Sequence, residues 1–258
     1  MARQAPVRDV APTVQRLRLR YAKRGPLRFT STRDFQRALE RALRRTGVPM
    51  AYSQGFNPHP RISYTNAAPT GTASEAEYAE LAVTSVLDPE LVREALDAAL
   101  PPGLDVLEVV EVRVPDLADR LQASVWTVEL PGVTEAQARA AVDTLLAAET
   151  VEVSRITKSG MRTFDARGPI LRLDVRAGDA SGAAAADGGP CAILDLVVRH
   201  VTPSVRPDDV LAALRHAADL VPPVPARVTR LAQGPLVADV GAGAAVEAVS
   251  DPLAVDRS

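Results

Sequence analysis

The sequence predicts an α+β protein made of two βαββαβ units in tandem, each with an antiparallel sheet. Three observations carry that prediction. Short segments alternate between apolar and polar residues, as half-buried strands do. Capped amphipathic stretches of helical period lie between them. The order strand, helix, strand, strand, helix, strand runs over residues 14–114 and again, with one strand more between the helices, over 121–235.

Val14 to Tyr21 places Leu17, Leu19 and Tyr21 on one face and Arg16, Arg18 and Arg20 on the other, which predicts a half-buried strand. After the turn Arg24-Gly25-Pro26, Ser31 or Thr32 caps a helix that runs to about Thr46 and stops at Gly47, with Pro49 beyond. On that helix Phe35, Ala38, Leu39, Ala42 and Leu43 share a side, and Arg33, Arg37, Arg41 and Arg44 form a stripe opposite. In the loop Tyr52 to Arg61, two prolines fix their own φ and push Asn57 and His59 toward extended backbone. Strands Ile62–Ala68 and Glu77–Ser85, separated by Pro69 to Thr72, read as a hairpin. Asp88-Pro89 opens a helix to about Leu100, and Leu104–Val114 alternates as a fourth strand.

The second series comprises strand Ala123–Leu130, helix Thr134–Ala148 and strand Val151–Thr157. Strands Ile170–Arg176 and Cys191–Val198, helix Pro207–Leu220 and a last strand near Ala226–Leu231 complete it. Lys158 to Arg167, with cations at Lys158, Arg162 and Arg167, reads as a hairpin turn, or as an extension of a basic groove. In this order the crossovers give the ferredoxin-like arrangement: a four-stranded antiparallel sheet with two helices on one face. Residues 1–13 are expected to be flexible, Gly178 to Gly189 to form a flexible excursion, and residues 236–258 to form a disordered tail.

The chain has 258 residues, 47% of them hydrophobic, enough to bury a sizeable core, so disorder is excluded as the overall state. Aromatics are only 3%, and Ala, Val and Leu must build that core. Cys191 stands alone, which excludes a disulfide scaffold and any metal or iron–sulfur site needing several thiolates, including the three-cysteine cluster of radical S-adenosylmethionine enzymes. No cofactor is expected. No apolar run reaches the ~18 residues of a membrane span and the Arg-studded start is no signal peptide, so a cytoplasmic location with no membrane partner is expected.

Charge is segregated along the chain. Residues 1–61 hold 14 Lys and Arg against three acids, whereas the whole chain carries −2. A basic end concentrates polyanions. Arg16, Arg18, Arg20, Lys23, Arg24, Arg33, Arg37, Arg41, Arg44, Arg45 and Arg61 are therefore the candidate RNA-binding residues. Arg33 to Arg44 spans about 16 Å of helix, enough for two or three phosphates of an extended strand. A solvated helix face is the plainer reading, but only Glu40 stands among these arginines to pair, so the stripe repels itself. The helix face and the sheet face carrying Arg16, Arg18 and Arg20 point to opposite sides and cannot form one flat patch.

The motif loop Gln54, Gly55, Phe56, Asn57, Pro58, His59 and Pro60 is either a rigid connector, with Gly55 at positive φ and Phe56 plugging the core, or a ligand contact. His59 is the one catalytic candidate, as a general base in RNA cleavage. His200 and His216 lie 16 residues apart without an acidic motif, so no metal site is expected, and no phosphate-binding P-loop or nucleophile elbow is present.

Tyr-Ala-Lys-Arg-Gly-Pro-Leu-Arg-Phe (21–29), Arg-Ala-Leu-Arg-Arg within the first helix, and Tyr-Ser-Gln-Gly-Phe-Asn-Pro-His-Pro-Arg-Ile-Ser (52–63) form a pattern. With Pro69-Thr-Gly and Ser74-Glu-Ala-Glu-Tyr78, it resembles the radical-SAM-associated bacterial proteins, a family of unknown function whose members occur beside or fused to a radical S-adenosylmethionine protein. The resemblance covers residues 14–235 and is strongest in the first half. It implies such a protein as partner. A more distant similarity of fold is to the repeat-associated RNA-binding proteins that process CRISPR transcripts. The expected function is a non-catalytic RNA-binding accessory; the alternatives are a protein-interaction subunit without RNA binding and a metal-independent endoribonuclease.

Overall fold

The computed structural model describes residues 11–54, 56–157, 160–178, 189–237 and 244–257. The chain divides into two compact units, residues 1–118 with 253–258, and residues 119–252. Both are mixed α+β with antiparallel strand pairing.

In the first unit, β1 (Gln15–Lys23), α1 (Thr32–Thr46), β2 (Ile62–Thr65), β3 (Ala73–Val83), α2 (Pro89–Ala99) and β4 (Val106–Glu111) follow in order. The strands lie β4–β1–β3–β2. Leu17, Leu19 and Tyr21 of β1 turn to one side, where they pack with Phe35, Leu39 and Leu43 of α1 and Val92 and Leu96 of α2 in one apolar core. Each such side chain, when fully buried, contributes about 1.5–3 kcal/mol. Tyr21 and Phe35 stack with centroids 4.0 Å apart. β2 is shorter than its apolar pattern suggests because Asn66 turns into left-handed backbone at φ 48°. β3 begins earlier, directly after the Gly71 turn, because Ser74 and Glu77 are buried there despite their polarity.

The second unit follows a one-turn helix, α3 (Leu117–Arg120), and contains β5 (Ala123–Pro131), α4 (Glu135–Ala147), β6 (Glu152–Thr157), β7 (Gly160–Asp165), β8 (Ile170–Ala177), β9 (Cys191–Arg199), α5 (Pro207–Ala218) and β10 (Arg227–Gly234). Its strands lie β10–β5–β9–β8, and β6 pairs with β7 as a separate hairpin. The stretch read as a turn therefore contains a strand. Val128, Leu130, Leu145, Leu194, Leu196 and Leu214 centre its core.

The expected disordered tail requires correction. Residues 244–257 include a 3-10 turn and α6 (Ala254–Arg257), and Leu253 and Asp256 are buried. Burial of Ala248, Val249 and Leu253 and pairing of the buried Asp256 carboxylate hold this segment, and neither shows in a low-complexity composition. Residues 1–10 and 179–188, most of the two expected flexible segments, lie outside the described residues, as do Gly55 and Lys158. Among the described residues no helix is long and apolar enough to cross a membrane.

Candidate functional site

The helix α1 is specified at both ends. Ser31 accepts the Asp34 N–H at 3.2 Å, Asp34 adds negative charge to the first turn, and Gly47 at φ 71° closes the helix after a last turn in which Arg44 and Arg45 favour the dipole. Its buried side is apolar. On the opposite side Arg33, Arg37, Arg41, Arg44 and Arg45 are exposed. No carboxylate among the described residues lies within ion-pair distance of any of the five. Glu40, the acid within the stripe, makes no ion pair with them; beside it Tyr64 is held above the ordinary phenol range, by burial first and by the Glu40 charge second. Arg45 donates to the Ala99 carbonyl.

The sheet side differs. Arg16 and Arg18 both pair with Glu80, Arg18 also pairs with Asp256 at 2.6 Å, and Arg20 lies 3.6 Å from Glu108. Arg18 has no solvent exposure at all. Lys23 is buried and donates to the carbonyls of Ala68 and Pro69 at 3.4 and 3.3 Å. Arg24 pairs with Glu75 and Asp105, and these contacts, Glu75's hydrogen bond foremost, raise its pKa further. Each sheet-side arginine is thus matched by an acid inside its own unit, and the open face carrying Arg16, Arg18 and Arg20 is not a free cationic surface. Positions alone could not show this, since the two carboxylates on Arg18 come from residues 62 and 238 positions away.

The motif loop is pinned at its neck. Tyr52 pairs with Pro60, the Ser53 N–H donates to the His59 carbonyl at 2.9 Å, and the His59 N–H donates to Ser53 Oγ at 3.0 Å. Phe56 is 53% exposed, so the reading in which it plugs the core is overturned: the neck bonds turn the loop outward. Gln54, Asn57 and His59 are exposed as well, and Pro58 and Pro60 are half-buried. A groove of about 380 Å³ lies beside the neck, lined by Arg16, Ser53, His59, Arg61, Ser63 and Glu80. Arg61 is exposed and donates to Thr13 Oγ1 at 3.2 Å. Among the described residues no side chain hydrogen-bonds the His59 imidazole, so nothing orients it as a base would be oriented.

One exposed feature escaped the sequence reading. Phe29 is 60% exposed beneath the Arg28 guanidinium, 4.7 Å from ring centroid to Cζ, and a Cβ at Gly71 would touch its ring. The adjacency of Arg28 and Phe29 was the available signal. In the second unit the half-buried His200 donates through Nδ1 to the Leu121 carbonyl at 2.6 Å and its Nε2 lies 2.7 Å from Oγ of the buried Ser124. His216 is exposed on α5. Among the described residues no group of three His, Cys, Asp or Glu is placed to hold a metal ion.

A family model described as an uncharacterized protein conserved in bacteria (DUF2344) matches residues 16–207, a span that contains α1, the motif loop and most of the second unit. No curated protein matches the chain.

Proposed function

The chain belongs to the DUF2344 family of uncharacterized proteins conserved in bacteria, and on that footing we propose that it is a non-catalytic RNA-binding accessory whose contact surface is the arginine face of α1. The observation that carries this reading is the contrast within one unit. Sheet-side guanidiniums are neutralised by carboxylates, whereas Arg33, Arg37, Arg41, Arg44 and Arg45 have none among the described residues. Five exposed cations on one helix repel one another unless an external anion sits among them, and a phosphate strand supplies charge at matching intervals. Exposed Phe29, with Arg28 over its ring, offers a base a stacking surface in the same unit.

The strand orders β4–β1–β3–β2 and β10–β5–β9–β8, each with two helices in sequence between strands, support reading the units as tandem ferredoxin-like folds. That arrangement underlies the fold analogy to RNA-processing CRISPR proteins. The pattern in residues 21–78 supports a radical S-adenosylmethionine protein as the partner the accessory works beside. The unoriented His59 favours binding over cleavage.

Fluorescence anisotropy with labelled single-stranded RNA tests the reading through Arg37→Glu combined with Arg41→Glu. A loss of affinity of tenfold or more is expected, on the order of 1.4 kcal/mol. Unchanged RNA affinity in that variant contradicts it, and binding of an acidic protein partner in place of RNA assigns the face to protein interaction.

A further inference from the structure

On the sheet side of the first unit, we infer a seat for a phosphate group that the chain's own Asp256 occupies. The inference stands apart from the α1 reading and does not need RNA binding there. Asp256 Oδ1 accepts from the N–H groups of Arg113 at 3.0 Å and Val114 at 3.1 Å, and Oδ2 accepts from Arg18 Nη1 at 2.6 Å. Two consecutive backbone N–H groups beside a guanidinium form the kind of concavity by which proteins hold phosphate.

Among the described residues one buried donor is left over there. The Arg18 side chain is fully buried, its Nε is taken by Glu80 at 3.1 Å, and its Nη2 has no hydrogen-bond partner among the described residues. A carboxylate brings two oxygens to this site and leaves that donor unmet; a phosphate group brings a third and a fourth. Glu80 and Glu108 stay with Arg16, Arg18 and Arg20, so the seat admits one anionic group and not a strand of them. The occupant rides on a single helical turn, Ala254–Arg257, anchored by buried Leu253 and by the pair Arg257–Glu108. An anion that binds the seat competes with Asp256 and releases that turn.

Thermal unfolding of the full chain tests this with Asp256→Ala and Asp256→Asn, in inorganic phosphate and in sodium chloride at matched ionic strength. Phosphate is expected to raise the midpoint of Asp256→Ala saturably, to raise Asp256→Asn less because its amide still fills the seat, and to leave the parent unmoved. Equal responses to phosphate and chloride in all three proteins overturn the seat. Should Asp256→Ala fail to fold in chloride, recovery of its fold by phosphate supports the inference and failure to recover overturns it. A short RNA with a 5′-phosphate, compared with its 5′-hydroxyl form, separates the sources: stabilisation by the phosphorylated form extends the seat to a terminal phosphate, and stabilisation by the free ion alone restricts it to inorganic phosphate. Adding Arg37→Glu and Arg41→Glu leaves the phosphate response in place, so this inference and the α1 reading fail separately.

Discussion

Arg18 carries its charge without solvent exposure, and Glu80 and Asp256 hold it there. Removing one carboxylate from a buried ion leaves the other partner in a poor medium, so Asp256→Ala is expected to cost about 3 kcal/mol in urea unfolding at neutral pH, with Glu80 limiting the loss. Burial works against the Asp256 charge, but the Val114 N–H, the Arg18 hydrogen bond and the Arg113 N–H outweigh it and hold the carboxyl below its ordinary range. The sign follows: this contribution is complete above the unfolded carboxyl value of about 3.9 and is lost as pH falls through the lower folded value. His200 behaves alike at higher pH. Its burial outweighs the Leu121 carbonyl bond and depresses its pKa, so the folded form resists protonation. Stability is therefore expected to be full above about pH 6.5 and to decline as pH falls below it. Denaturant midpoints measured across that range should lose this slope in His200→Gln; a slope unchanged in the variant would show that another group sets it.

At the level of elements, α1 is where stability and binding separate. Leu39 is fully buried, and Leu39→Ala is expected to cost about 2–5 kcal/mol. Gly47 sits at φ 71° with open space around a would-be Cβ, so Gly47→Ala is expected to cost about 1 kcal/mol from backbone strain alone. Arg37→Glu and Arg41→Glu touch exposed groups that make no ion pair among the described residues and should shift stability by no more than about 0.5 kcal/mol each. Calorimetry on these four variants checks the division, and a large loss in the arginine variants would mean that the face is structural. The caps and apolar spacing that define α1 were legible in the sequence because they are local. β7 was not, because Gly160 to Thr163 are all exposed and an unburied strand leaves no alternating pattern to read. Exposed Ile156 and Met161 face each other across that hairpin, with no core to give them a period.

For the molecule as a whole, charge laid out along the chain and charge laid out in space differ. The basic stretch 1–61 folds into a unit that holds 17 basic and 15 acidic residues, so the segregation seen in sequence is largely cancelled by acids on and beside β3, α2 and β4 and by Asp256. What escapes cancellation among the described residues is the α1 face, together with Arg28 and Arg61. That outcome could not be read in advance, because strand alternation placed Arg16, Arg18 and Arg20 on one side correctly but said nothing of the register that sets Arg18 opposite Glu80 and Arg20 near Glu108. The docked segment around Asp256 was hidden for the same reason: its partners are distant in sequence, and its composition is that of a tail. The motif loop was legible as a constrained turn, whereas its outward-facing Phe56 depended on neck bonds that only the fold supplies.

The most direct measurement is the salt dependence of single-stranded RNA binding by the full chain. Four phosphate contacts along α1 predict that log affinity falls with log salt at a slope of roughly −3, and that Arg37→Glu with Arg41→Glu flattens it by well over one unit. Absence of binding at low salt, or a slope identical in the parent and the double variant, would contradict the assignment of α1 as the nucleic-acid surface.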